Sequence, residues 1–154
     1  MRRLYFDIDG TLVLQSDGLP KPALAGGRFE RAVRAAGVEE LICVGRLADV
    51  IHMAASVDSD YDGAGLVFST CADIFADEGW FRAALRLAAD AANRAAEVDL
   101  SADWWYVDDD AESYFRRAGR GPVFRENVGG RICVPSPDGD GTDVLLWLES
   151  IPRP

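Results

Sequence analysis

Ten residues near the start of the chain, Leu4-Tyr5-Phe6-Asp7-Ile8-Asp9-Gly10-Thr11-Leu12-Val13, constrain its fold most. An apolar run leads into two carboxylates spaced two apart, and side chains two apart on an extended strand point the same way. A strand over residues 3–8 therefore delivers Asp7 and Asp9 close together at its C-terminal tip. Gly10 permits a sharp turn there and leaves backbone N–H groups free to face an anion. Carboxylates this close repel one another unless a cation joins them, and hard oxygen ligands suit Mg²⁺. The local chemistry is a cation site beside a phosphate cradle; the plainer alternative is a strand followed by an acidic turn.

The rest of the chain alternates between strand and helix patterns. Residues 12–27 hold Gly18, Pro20, Pro22, Gly26 and Gly27 and read as a loop. Residues 28–36 place Phe29, Ala32, Val33 and Ala36 on one helical face, with Gly37 as a stop. Residues 41–44 are a buried strand, and the strand–helix–strand order indicates a parallel unit. Within 46–76, residues 57–63 are an acidic loop, and 65–71 fit either a strand or a buried helix. Residues 77–97 read as one helix whose core face is Trp80, Phe81, Ala84, Leu85 and Ala88. A strand over 104–107 ends in Asp108-Asp109-Asp110, and a helix over 111–118 closes at Gly119. A strand over 131–134 and a helix over 142–150, with Thr142 as N-cap, complete the chain. No linker or repeat divides it, so residues 1–154 are expected to form one α/β sandwich around a mostly parallel sheet.

Sites in open α/β sheets form beyond the carboxyl ends of the strands. Two strands end in acids, one at Asp7 and one at Asp108, and if they are neighbours Asp7, Asp9 and Asp108 converge on one metal, with Asp109 as the second choice for the last ligand. The string Asp7-Ile8-Asp9-Gly10-Thr11 behind an apolar strand, with the late string Tyr106-Val107-Asp108-Asp109-Asp110 before a helix, resembles the haloacid dehalogenase-like superfamily. The resemblance implies a Rossmannoid three-layer sandwich and a Mg²⁺-dependent phosphatase. It makes Asp7 the nucleophile, carrying an aspartyl-phosphate, and Asp9 the acid and then the base. It puts the metal on Asp7, the main-chain carbonyl of Asp9, and Asp108 or Asp109. Gly10, Thr11, Arg46 and Arg94 become the phosphate-binding candidates.

Two family features are replaced. The family places a Ser or Thr after the second strand, where this chain has Gly45 followed by Arg46; Ser69 or Thr70 is the alternative hydroxyl. The family also has a Lys, sometimes an Arg, upstream of the late acidic strand. Lys21 is the single lysine beside fifteen arginines, which leaves Arg82, Arg86, Arg94 and Arg46 as the available cations. Phosphoryl transfer depends chiefly on such electrostatic stabilisation, so activity follows less directly than fold.

The remaining features are read as structural. His52 is alone, Trp104 and Trp105 face opposite sides of a strand as core residues, Phe124-Arg125-Glu126-Asn127 lies in a loop, and Asp138-Gly139-Asp140-Gly141 is a turn. The net charge of −10 argues against nucleic acid as a partner, and no apolar run is long enough for a membrane span. Cys43, Cys71 and Cys133 lack disulfide or metal spacing and are expected to be reduced thiols of a cytoplasmic protein. The resemblance implies a small phosphorylated substrate; residues 46–76 offer at most a small lid or an extra helix, and an open site would also suit a substrate that is itself large or a covering second subunit, as in a homo-oligomer. The alternatives are a non-catalytic metal- or phosphate-binding protein of the same fold that acts through a partner, and a receiver-like signalling domain, which would need a lysine on a late strand.

Overall fold

The computed structural model describes residues 1–89 and 91–154. Five strands form one all-parallel sheet: β1 (Arg2–Phe6), β2 (Glu40–Cys43), β3 (Leu85–Leu87), β4 (Asp103–Val107) and β5 (Ile132–Cys133), in the order β3-β2-β1-β4-β5. The central strand β1 pairs Phe6 with Cys43 on one side and with Val107 on the other. The residues that follow in each strand, Asp7, Val44 and Asp108, are thus brought to one edge of the sheet.

Side-chain alternation divides the core into two layers. Leu4, Phe6, Leu41, Cys43, Trp105 and Val107 face one side, where α1 (Arg28–Ala35), α3 (Gly63–Thr70), α4 (Glu78–Ala84) and α7 (Thr142–Ser150) supply Phe29, Val67, Phe81 and Trp147. Tyr5, Ile42, Trp104 and Tyr106 face the other, under α5 (Ala111–Arg117), α6 (Gly121–Asn127) and a 3₁₀ segment over Ala91–Glu97. The two tryptophans do point to opposite faces and both are buried. The result is a Rossmann-like three-layer α/β sandwich. Asp7 and Asp108 share the parity of Tyr5 and Tyr106, so they turn toward the α5 side.

Several local expectations are corrected. Residues 77–97 are not one helix: α4 stops at Ala84, and Leu85 is already extended (φ −75°, ψ 135°). Leu85–Leu87 then pairs with Leu41–Cys43. An Ala- and Leu-rich segment favours helix on its own, but the open edge of β2 satisfies its backbone as a strand, and tertiary pairing overrides propensity. Asn93 breaks the helical dihedrals of the 3₁₀ segment that follows, and Asp90 lies outside the described residues. Residues 65–71 fall largely in helix α3, whose start Asp62 caps by accepting from the Gly65 N–H at 2.9 Å. The chain at Phe124–Asn127 is not loop but part of α6, with Pro122 in its first turn and Phe124 buried. Thr142 does not cap α7: Gly141 holds that position, and Asp140 accepts from the Thr142 N–H at 2.9 Å. Residues 46–76 also carry α2 (Arg46–Val57), which buries Ala48 and Ile51 and leaves Val50, Met53 and Val57 exposed.

His52 bonds the Ala88 carbonyl at 2.8 Å, a structural contact between α2 and the end of β3. The three cysteines are free and buried; burial pushes the Cys71 and Cys133 thiols up to about 12, so they stay protonated. Among the described residues no helix is long and apolar enough to cross a membrane.

Lys21 is fully buried, and its ammonium donates to the carbonyls of Gly10 at 2.9 Å and Ser136 at 2.7 Å. It ties the turn after β1 to the loop after β5. Replacing Lys21 with Met strips two carbonyls of their donor, and each orphaned buried group costs about 1–3 kcal/mol. Urea denaturation of Lys21→Met is expected to show a loss of at least that size for one group.

Candidate active site

The site is built where β1 and β4 end. The Asp7 N–H bonds the Val107 carbonyl at 3.1 Å, and the Asp108 N–H bonds the Cys133 carbonyl at 3.2 Å. The backbone therefore fixes both carboxylates before any side-chain contact. Asp109 joins them, and one carboxylate oxygen from each of Asp7, Asp108 and Asp109 lies within 4.8 Å of the others. Asp7 and Asp108 are buried and Asp109 is half-buried. Asp9 is exposed; its carboxylate stands outside this cluster and lines the adjacent cleft.

The turn after β1 holds the cluster together. Thr11 is fully buried, and its hydroxyl lies 3.3 Å from both Asp7 Oδ2 and Asp109 Oδ1 while accepting the Asp109 N–H at 3.1 Å. One hydroxyl proton cannot serve both carboxylates at once, so the pair is held closely but remains short of a donor. Gly10 has φ +76°, and a Cβ there would stand 2.6 Å from Asp109 Oδ2, so a side chain is excluded on two counts. Asp108 is held from the sheet side: Tyr106 donates to its Oδ2 at 3.1 Å, and the Asp110 N–H reaches its Oδ1 at 2.9 Å.

Arg94 is the positive charge of the site. Its Nη1 lies 3.0 Å from Asp7 Oδ1 and 3.1 Å from Asp108 Oδ2. Burial works against its charge, but Asp7 and Asp108 outweigh burial and hold its pKa above the ordinary arginine value. Gly45 explains how the guanidinium fits. At φ +104°, a Cβ on residue 45 would stand 2.6 Å from Asp7 Oδ1 and 3.1 Å from Arg94 Nη1. The position after the second strand is glycine because the carboxylate and the guanidinium fill its space.

Of the other candidates, Arg46 opens α2 and lines the cleft, exposed and with no ion pair among the described residues. Arg82 pairs with Asp62 and Glu78, and Arg86 with Glu40, all distant in role from the cluster. Ser69 and Thr70 turn their hydroxyls back to the Leu66 carbonyl; Thr70 also lines the cleft. The cleft has a volume of about 410 Å³, with Arg46, Arg94, Asp7, Asp9 and Tyr114 on its walls. Pattern reading of the sequence missed Tyr106 and Tyr114. Tyr106 sits two residues before Asp108, the same-face spacing that could have found it; Tyr114 had no such signal.

Burial and then the neighbouring Asp108 charge push the Asp7 carboxyl well above the usual carboxylate range, although Arg94 pulls the other way. Burial likewise raises Asp108 to about 6, again opposed by Arg94. With all three carboxylates ionised, one guanidinium leaves two negative charges unmatched, the charge of one divalent cation. Adjacent ligands of Mg²⁺ at about 2.1 Å stand roughly 3.0 Å apart and opposite ones roughly 4.2 Å; the three oxygens, within 4.8 Å of one another, would have to draw together around the ion to share it.

Comparison with protein-family models, curated proteins and solved structures returns no match.

Two outcomes are expected. A carboxyl with a raised folded pKa holds its proton more tightly in the fold, so it favours the folded state below that pKa and the benefit is lost as pH rises through it. Without divalent cations, stability contributed by Asp108 should fall as pH rises from about 4 through about 6, and the raised Asp7 carboxyl acts in the same direction. Thermal unfolding at several pH values in EDTA measures this, and the trend should flatten in excess Mg²⁺. Separately, Gly45→Ala combines strained backbone with displacement of Asp7 and should cost about 1–3 kcal/mol, read by denaturant unfolding.

Proposed function

We propose that this chain is a Mg²⁺-dependent phosphomonoester phosphatase of the haloacid dehalogenase-like type, with Asp7 as nucleophile. The observation that carries this is the gathering of Asp7, Asp108 and Asp109 at the C-terminal edge of the sheet, beside the Gly10–Thr11 turn and open to a cleft. The oxygen-only donor set and its two unmatched negative charges fit Mg²⁺, which Asp7, Asp108 and Asp109 would hold. When bound, the ion would supply charge neutralisation and polarisation of the phosphoryl oxygens.

The chain's own residues then divide the work. The Asp7 carboxylate attacks phosphorus, forming an acyl-phosphate as the bond to the leaving oxygen breaks. Asp9, exposed on the cleft wall, gives a proton to that oxygen and later takes one from the water that hydrolyses the acyl-phosphate. Arg94 stabilises charge beside Asp7, and Arg46 supplies positive charge on the cleft wall. The substrate is a small phosphorylated molecule, since the cleft is about 410 Å³.

A second possibility, a non-catalytic cation- or phosphate-binding protein acting through a partner, is favoured by one observation. Asp7 Oδ1 is already committed to Arg94 at 3.0 Å, which blunts a nucleophile. Hydrolysis of p-nitrophenyl phosphate with Mg²⁺, against an EDTA control, separates the two. The enzyme reading predicts turnover that Asp7→Asn lowers at least roughly 10³-fold. Activity that survives Asp7→Asn excludes the covalent route; a wild type that binds Mg²⁺ but hydrolyses nothing across a phosphate panel favours the non-catalytic one.

A further inference from the structure

Arg94 reaches the carboxylate cluster from the 3₁₀ segment rather than from a strand or long helix, and its anchoring is lopsided. Nη1 alone meets the acids, at 3.0 Å from Asp7 and 3.1 Å from Asp108. Nε is buried and has no hydrogen-bond partner among the described residues. Among the described residues the other polar hold is Nη2, which donates to the Tyr114 hydroxyl at 2.7 Å. The guanidinium also lies over the Tyr114 ring, with its carbon 3.7 Å from the ring centroid. One side chain thus supplies both a hydrogen bond and a cation–π face, each strengthened by partial burial. On the far side, the bare Gly45 leaves the space that Nη1 needs. Tyr114 sits on α5 and lines the same cleft as Asp7.

We propose that Tyr114 is a positioning residue that fixes Arg94 as the resident counter-charge of Asp7 and Asp108, and so sets how strongly the three-carboxylate cluster holds a divalent cation. The second half rests on the cation site proposed above; the first half does not. With Tyr114 in place, the guanidinium neutralises part of the field that would otherwise draw a cation in. Without it, Nη2 loses its acceptor, the guanidinium plane loses the ring beneath it, and the guanidinium offsets less of the carboxylates' mutual repulsion. The cluster then becomes less stable empty and more avid for a cation.

The test is a double-mutant cycle over Tyr114→Leu and Arg94→Met, with Tyr114→Phe keeping the ring but not the hydroxyl. Two readouts are taken on the full chain: Mg²⁺ affinity by isothermal titration, and the melting temperature in EDTA and in saturating Mg²⁺. Tyr114→Leu and Arg94→Met should each tighten Mg²⁺ binding at least about fivefold, with Tyr114→Phe intermediate. Each should lower the melting temperature in EDTA and lose less of it in Mg²⁺, and the double variant should do little beyond Arg94→Met alone. A purely structural ring would lower stability equally with and without Mg²⁺ and leave affinity unmoved. Additive effects, or unchanged affinity in Tyr114→Leu when Arg94→Met alters it, overturn the proposal. If the wild type binds no divalent cation, the site reading and the affinity half of the proposal both fail. The EDTA cycle then decides the clamp alone: coupling between the two substitutions keeps it, and additivity removes it. If Tyr114→Leu does not fold, Tyr114→Phe carries the same comparison.

Discussion

Parallel pairing of β1 with β4, Phe6 opposite Val107, places Asp7 and Asp108 side by side at a buried sheet edge, and the rest of the site compensates for that repulsion. Backbone hydrogen bonds from both aspartate N–H groups leave no freedom to separate them. Tyr106, Thr11 and the Asp110 N–H supply donors to the carboxylates. Arg94 supplies charge, and glycines at 10 and 45 leave the room that these contacts require. Burial of like charges is costly unless they are paired and hydrogen-bonded. Here the pairing is incomplete, with three carboxylates around one guanidinium, and the proposed cation site rests on that shortfall.

The surroundings of the site are also held from a distance. Lys21, the single lysine of the chain, is spent on main-chain carbonyls that join the turn after β1 to the loop after β5. On the helical face, Glu30 accepts from the N–H groups of Ala76 and Asp77, linking α1 to the approach to α4. Neither residue touches the carboxylate cluster. Both show how buried charge in this chain is matched to backbone groups, in contrast to the cluster, where carboxylates meet carboxylates.

Much of the framework was legible because its signals are local. The apolar run into Asp7, the helical face of Phe29 and Val33, and the strand before Asp108 each carry a clear period, and each forms as read. The failures occur where tertiary partners decide. Leu85–Leu87 became a strand because β2 had an unpaired edge, and α6 formed where its residues could bury Phe124 against Phe115. In the site, the acids were visible as strand-end clusters, and Asp7, Asp108 and Asp109 come together. Arg94 was one of several interchangeable arginines until its distances were known. Gly45 looked like a missing hydroxyl, whereas in three dimensions it is the space into which Asp7 and Arg94 fit. Tyr114 gave no sequence signal, since its role depends on a guanidinium twenty residues away.

The central claim is that Asp7, Asp108 and Asp109 share one divalent cation. Crystals grown in Mn²⁺ and measured for anomalous scattering test it most directly. The account predicts a single strong anomalous peak within coordinating distance of oxygens from all three carboxylates. A fully occupied Arg94 bridge with no peak between those residues, at Mn²⁺ concentrations far above those that saturate ordinary sites, would contradict it.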